Sequence, residues 1–479
     1  MRSLQWHQVS PGVHERDIDG VERFYLSASL VRSPAVNKAD WHLNAGIKLE
    51  CSRPNFVADV KKAWIQTRFD YPGLAAKIVE DRWIYRSAAD QDELTEWLEE
   101  TFQVHRQPLT ARELMTEDVL VPAPRVVLHV LPNTQELLIQ GPHTHLDGFG
   151  LMKTFQHVIS SLVRLPLSST PDGDPVKFGS EARNLSPPMS LACQTTPCSA
   201  EDKQKWDKLI EEFIKPEHKI YLNTRDESCP PRFSRTQWMV FDALSTKAIQ
   251  QEAQKREVSL AAIVQGAISL SAREHGNNRT RRHAIQALYS VREYIDASIA
   301  DGESIISPMV LGVPLTYTLH DDYQDLIRDA NEAFQEGKGD GFGLKCSHLW
   351  GSDLPKAFAA PLPEGKSIRA EAQMSYMGHM DSYLREWNED ESVEGSLTQC
   401  IDYWSSLDML SANVVTGVYI FRGRLNMSLA YNETFHSEES MSEYLQMIKR
   451  NLDKGLGIQT DAIVRSPGRE EWMPEPMTI

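Results

Sequence analysis

Pro142-His143-Thr144-His145-Leu146-Asp147-Gly148-Phe149-Gly150 stands where the chain changes its hydrophobic period. Before it, residues 125–131 alternate and run apolar, Pro132-Asn133-Thr134-Gln135 turns the chain, and residues 136–140 run back. That is the pattern of a β-hairpin. After it, Phe149, Leu151, Met152, Phe155, Val158, Ile159 and Leu162 recur three or four apart, so a buried helix begins near Gly148 or Phe149. The segment is therefore a strand-to-helix turn that carries two histidines and an aspartate.

Such a turn can hold a general base. Histidine, with an ordinary pKa of about 6.5, accepts and returns a proton near neutrality. Set just after a buried strand, His143 can be aimed into a cleft on rigid backbone. Asp147, four residues on, can hold the turn in shape, and Gly148 lets the chain enter the helix without a Cβ clash. A bare His and Asp four apart are more often no more than a capped helix start, so their surroundings must decide. His145, two residues from His143, shares a face with it only if the backbone stays extended, and reads best as structural.

Outward from the turn, residues 55–64 and 91–102 show helical periodicity. Residues 165–231 shift to Pro, Ser, Thr, Gly and Asp, with only EDKQKWDKLIEEFI helical among them, as expected of a long crossover. Beyond it a strand is expected at 236–241, a helix capped by Ser245 and a more apolar helix opened by Ser259. Strands follow at 284–291, 308–318, 412–421 and 425–431. Helices and strands alternate in both halves, which gives a mixed α/β (α+β) class with two sheet-containing domains. The divisions are 1–164 (first domain, with the turn), 165–235 (crossover) and 236–479 (second domain).

The bulk properties agree. A chain of 479 residues exceeds one ordinary core. With 41% hydrophobic and 24% charged residues it is globular, and no sequence repeat stands out. A formal charge of −17 argues against nucleic acid or an anionic membrane as the main partner. The six cysteines are scattered without CxxC pairs, which indicates neither a zinc site nor a disulfide framework. No signal peptide or membrane span is evident, so the cytoplasm is the expected compartment. The acidic run 389–394 reads as a solvated loop, and the tail after Ile458 carries no motif.

PHTHLDGFG, after a hairpin and opening a helix in the first third of the chain, resembles the HxxxDG motif of the chloramphenicol acetyltransferase superfamily. That group includes plant BAHD acyltransferases, condensation domains of nonribosomal peptide synthetases and fungal trichothecene acetyltransferases. Weaker likenesses follow in the same order: VSLAAIVQGAISLSARE, QALYSVREYI with Arg292 at the strand end, ISPMVLGVPLTYTL, and MSYMGHMDSYL, which is similar to an "SNLG" stretch. The BAHD DFGWG signature is absent, Asp340-Gly341-Phe342-Gly343 being a superficial echo. The doubled histidine of condensation domains is absent too, since Pro142 stands in its place. The fungal stand-alone acetyltransferases, of the trichothecene 15-O-acetyltransferase type, are the nearest branch.

The resemblance implies two similar domains, each a mixed sheet flanked by helices, with an active-site channel between them. It implies His143 as general base, Asp147 as a structural aspartate and Arg292 as its salt-bridge partner. It further implies O-acylation of a small-molecule alcohol, a secondary metabolite, with acetyl-CoA or another acyl-CoA as co-substrate and no bound cofactor or metal. A condensation-like reaction on an acyl carrier protein thioester, or a cyclisation, is the alternative. The basic run Arg279-Thr280-Arg281-Arg282-His283 is either a contact for CoA phosphates or a solvated turn. A rival from another class takes His143 and His145 as the HxH metal pair of an amidohydrolase barrel.

Overall fold

The computed structural model describes residues 3–33, 36–116, 120–166, 176–196, 198–225, 228–298, 305–339, 341–358, 362, 368–393 and 395–466. Asp340, Glu394, most of PLSSTPDGDP and the end of the tail lie outside the described residues.

The hairpin is formed by Val127–Leu131 and Glu136–Pro142, antiparallel, with Glu136 opposite Leu131. Every residue of both strands is buried, which is why they read as near-continuous apolar runs. They sit inside a six-stranded sheet ordered Trp387–Asn388, Thr398–Leu407, His42–Cys51, Glu136–Pro142, Val127–Leu131, Phe102–Val104. Phe56–Asp70 and Gly148–Val163 pack together beside it. A smaller four-stranded sheet is formed by His7–Ser10, Val13–Asp17, Arg82–Arg86 and Lys77–Val79.

The second half repeats this plan. Its sheet runs Ala372–His379, Val414–Phe421, Arg424–Asn432, Ser234–Phe241, Ala462–Arg465. In each sheet a strand pairs parallel with the first strand of a hairpin, and the hairpin's second strand pairs antiparallel with a strand from earlier in the chain. Each hairpin is followed at once by a long helix, Gly148–Val163 in one half and Glu438–Leu456 in the other. The fold is thus the mixed α/β class of two similar units. The repeat escapes the sequence because PHTHLDG and its counterpart NETFHSE share a backbone path and almost no side chains.

The two halves are joined through a borrowed strand. Thr398–Leu407, late in the chain, pairs antiparallel with Leu43 to Cys51 of strand His42–Cys51, so the first half's sheet contains a strand supplied by the second. Trp404 lies opposite Gly46, where a Cβ would come within 2.5 Å of the indole. Asp402 on the same strand receives a 2.6 Å hydrogen bond from Arg112, whose guanidinium lies 5.1 Å from the Trp238 ring of the second sheet.

The sequence reading placed no element at strands His42–Cys51, Ala372–His379 and Thr398–Leu407 or at helices Tyr323–Lys338 and Glu438–Leu456, and one helix cap differs. Ser245 is not the helix cap: Ala243–Lys255 begins three residues earlier than a Ser245 cap requires, and the Asp242 side chain accepts from the Ser245 N–H at 2.6 Å. An aspartate competes well for that role. Ser259 does cap Leu260–His275. In the crossover, EDKQKWDKLIEEFI lies within Ala200–Ile214, and Met189–Ala192 adds one short turn of helix.

Candidate active site

Strand Glu136–Pro142 delivers the chain to the turn, where the His145 N–H bonds back to the Pro142 carbonyl at 3.0 Å. Asp147 then caps the helix, its Oδ1 accepting from the Gly150 N–H at 2.7 Å. The rest of its valence is also filled. Arg292 donates from Nη1 to Oδ2 at 2.8 Å and from Nη2 to Oδ1 at 2.9 Å, and the Met309 N–H donates to Oδ2 at 2.9 Å. Burial pushes the Asp147 carboxyl up, but the paired guanidinium and the two backbone donors outweigh it and hold the group below the usual carboxylate range. Arg292 lies just past strand Arg282–Ser290 and also reaches the Ser307 carbonyl at 3.3 Å. The carboxylate is thus engaged by the second half and the helix cap, and no hydrogen bond links it to His143.

Two glycines admit the neighbours of this turn. Gly148 has an ordinary φ, and a Cβ there would meet the Met377 sulfur at 2.6 Å. At Gly150 a Cβ would lie 2.0 Å from the Ile306 carbonyl oxygen, so a main-chain segment of the second half occupies that space.

His143 faces a chamber of about 110 Å³ lined from both halves. Its imidazole stacks on Tyr25, with centroids 3.9 Å apart and planes 12° from parallel. Phe24, Trp41 and Trp350 continue the aromatic wall, Phe24 stacking on Trp350 at 4.6 Å. Gln286, Gln373, Ser375, Ser405 and Ser428 are among the polar lining groups. A second cavity of about 240 Å³ adjoins the first across the shared residues Gln286, Leu288 and Met374. Burial lowers the His143 pKa to about 4, the peptide groups of His143 and Leu146 and the Asp147 charge opposing this only in part. The ring is therefore neutral at pH 7, with a nitrogen free to accept a proton.

His145 turns elsewhere. Its Nε2–H donates to the Ala76 carbonyl at 3.0 Å, leaving Nδ1 to accept from the Thr144 hydroxyl at 3.1 Å, and its ring meets Trp83 edge-on. With both nitrogens engaged and open sheets in place of a barrel, the HxH metal-pair reading does not fit this chain. Arg279, Arg281 and Arg282 are exposed at the start of strand Arg282–Ser290, and none lines the chamber. Arg282 instead faces Glu212 at 3.5 Å.

The aromatic wall was not singled out from sequence. Phe24 and Tyr25 belong to helix Gly20–Ser29, more than a hundred residues before the motif, and Trp350 to helix Ser347–Phe358. Nothing local marks these residues as neighbours of His143. In the second half the position matching His143 is Glu433, which pairs with Arg235 at 2.8 Å. The two turns share a path, and only the first has a histidine at this position.

No family model matches the chain. It is similar to acetyltransferase pigO of Monascus ruber, 21% identical over 480 residues and spanning 96% of this chain and 100% of that protein. O-acetyltransferase pigM of the same organism is 23% identical over 483 residues, covering 96% of this chain and 89% of the relative. Among solved structures, TRI3 trichothecene 15-O-acetyltransferase from Fusarium sporotrichioides matches with a TM-score of 0.81 at 14% identity, over 94% of this chain and 96% of that one. Near-complete coverage in both directions, together with the repeated sheet plan, gives this chain the chloramphenicol acetyltransferase-like fold in the form taken by the trichothecene 15-O-acetyltransferase.

Proposed function

We propose that this protein is an O-acyltransferase that moves an acyl group, in the simplest case acetyl, from an acyl-CoA thioester to a hydroxyl of a secondary metabolite. The observation that carries the reading is a neutral His143 facing a chamber lined by both halves, its turn held by an Asp147 bound to Arg292 and not to the imidazole. The names of the full-length relatives support the same chemistry.

In this mechanism His143 removes the hydroxyl proton as the alcohol oxygen attacks the thioester carbonyl, then returns it to the departing thiolate. Asp147 and Arg292 keep the ring aimed and touch no substrate. The oxyanion is met by a donor in the chamber, where Ser375, Ser405, Ser428 and the amides of Gln286 and Gln373 are available. The aromatic wall suits a flat apolar alcohol. The adjoining cavity gives the thioester its own approach, so that the two substrates meet at His143 from different sides. Residues 1–164 and 236–479 act as the two halves, bridged by 165–235, and the enzyme works in the cytoplasm. Among the described residues no helix is long and apolar enough to cross a membrane.

The test is incubation with acetyl-CoA and a panel of polyketide-type and terpenoid alcohols, following release of free thiol and the mass of the product. Alcohol-dependent thiol release that disappears in His143→Ala is expected. Release that persists in a folded His143→Ala enzyme would remove His143 from the mechanism.

A further inference from the structure

Trp41 combines a strained backbone with a place beside His143. Strand His42–Cys51 pairs antiparallel with Glu136–Pro142, His42 lying opposite Pro142, so the next pair outward in that register is Trp41 and His143. Both residues leave the sheet at the same end, and their ring centroids are 6.4 Å apart. Trp41 has a φ of 56°, in the left-handed region that bulky side chains rarely adopt. Its surroundings hold it there. The Asp40 N–H donates to the Val31 carbonyl at 3.0 Å, the Trp41 N–H to the Asp408 carbonyl at 2.8 Å, and the Asp408 N–H to the His42 carbonyl at 2.8 Å. Oδ1 of Asp40 also accepts from the Leu410 N–H at 2.7 Å. Asp408 and Leu410 follow directly on the borrowed strand Thr398–Leu407. Such strain persists only where surrounding structure over-determines it, and it clusters at ligand sites.

The indole is also the part of the aromatic wall that the protein leaves open. Phe24, Tyr25 and Trp350 are buried, whereas Trp41 is half-buried. The rings of Phe24, Tyr25 and His143 meet it at 76°, 53° and 44°, so none of the three stacks on it. It lines the His143 chamber and not the adjoining cavity. From this placement we infer that Trp41 determines acceptor specificity, its indole being the platform on which the flat aromatic or conjugated ring of an alcohol stacks while the hydroxyl reaches His143. The inference rests on the acyl-transfer reading of His143. Covering the half-buried indole removes apolar surface from water, which any apolar ring of that size achieves. Offset stacking adds a further attraction that only a π-system has, so the platform separates flat rings from saturated ones. The clamped turn fixes the point from which the indole projects before a ligand arrives, which lowers the cost of ordering on binding.

The experiment dialyses the full-length protein to equilibrium against 2-naphthalenemethanol and against its decahydro counterpart. Wild type should bind the flat alcohol about threefold to tenfold more tightly, the range of one aromatic stacking contact. Trp41→Leu keeps apolar bulk and should bind the two alike, and Trp41→Phe should retain part of the preference. Trp41→Gly, whose backbone suits a positive φ, should stay folded by circular dichroism and lose the preference. In acetyl-CoA assays the KM of the flat alcohol should rise by the same factor in Trp41→Leu, with the KM of acetyl-CoA unchanged. A wild type without preference, or a preference that survives in folded Trp41→Gly, would overturn the inference and leave acyl transfer standing. A preference that Trp41→Leu abolishes, in a protein that releases no thiol from acetyl-CoA with any alcohol, would keep the platform and overturn the acyl-transfer reading.

Discussion

His143 is the residue on which activity should turn. His143→Ala should lower kcat/KM by about 10²–10⁴, the range a positioned general base supplies, with little change in thermal stability. Its pKa of about 4 also sets the form of the pH profile. The base form persists well below the ordinary 6.5, so kcat/KM should stay level down to about pH 5 and fall only as pH approaches 4. An acid limb centred near 6.5 would contradict the burial argument. Tyr25 gives the companion test because its ring covers the imidazole. Tyr25→Phe keeps the stack and should leave the acid limb in place. Tyr25→Ala admits water, so the limb should move up toward 6.5 and kcat should fall.

At the scale of the element, the strand-turn-helix unit is held from outside. The Asp147–Arg292 pair is buried on both sides, with side chains 3% and 8% exposed. Removing one partner of such a pair strands a charge, and Arg292→Ala should cost about 3–5 kcal/mol of unfolding free energy. Arg292→Lys should recover part of that but not the two-pronged geometry. Gly150→Ala should destabilise by about 1–3 kcal/mol, since the added methyl overlaps the Ile306 carbonyl and either the helix start or that segment must shift. Denaturant unfolding followed by circular dichroism measures both. A neutral Gly150→Ala would show that the crossing segment yields freely.

For the whole molecule, the borrowed strand is the controlling fact. A fragment of residues 1–235 lacks Thr398–Leu407 and leaves His42–Cys51 as an unpaired edge in place of an interior strand. It should not fold alone, and a cooperative unfolding transition in the isolated fragment would contradict this. Acid should also unfold the intact protein early. His129 and His283, with pKa values near 3, and His143, His145 and His436, near 4, are held neutral by burial, whereas the unfolded chain protonates them near 6.5. Their folded pKa values are depressed, so their contribution is present above pH 6.5 and is lost as pH falls toward 4. Burial raises Asp40 and Glu136 to about 7 and Asp19 to about 6, which works the other way over the same window. Five histidines outweigh three carboxylates. Stability should therefore decline on acidification by about 1.4 kcal/mol per pH unit for each histidine left unbalanced, as urea midpoints across pH 4.5–7 would record.

The hairpin, the turn and the helix after it were legible in the sequence because each rests on local period and capping: apolar runs, a four-residue turn, Asp147 before a glycine, then i, i+3, i+4 spacing. The mixed α/β class was legible for the same reason, as was the candidacy of His143, a proton acceptor at the end of a buried strand. The borrowed strand left no trace: no strand was expected at residues 398–407, and which sheet a strand joins depends on pairing with residues far away in the chain. Nor did the aromatic wall, since Tyr25, Trp41 and Trp350 come together through packing between distant segments. The sequence by itself determined the local turn and the chemistry it can carry, because those depend on neighbours a few residues away. Only the tertiary structure decided what surrounds His143, how far its pKa falls and how the Arg292 that the resemblance paired with Asp147 engages it, because each depends on contacts between residues far apart along the chain.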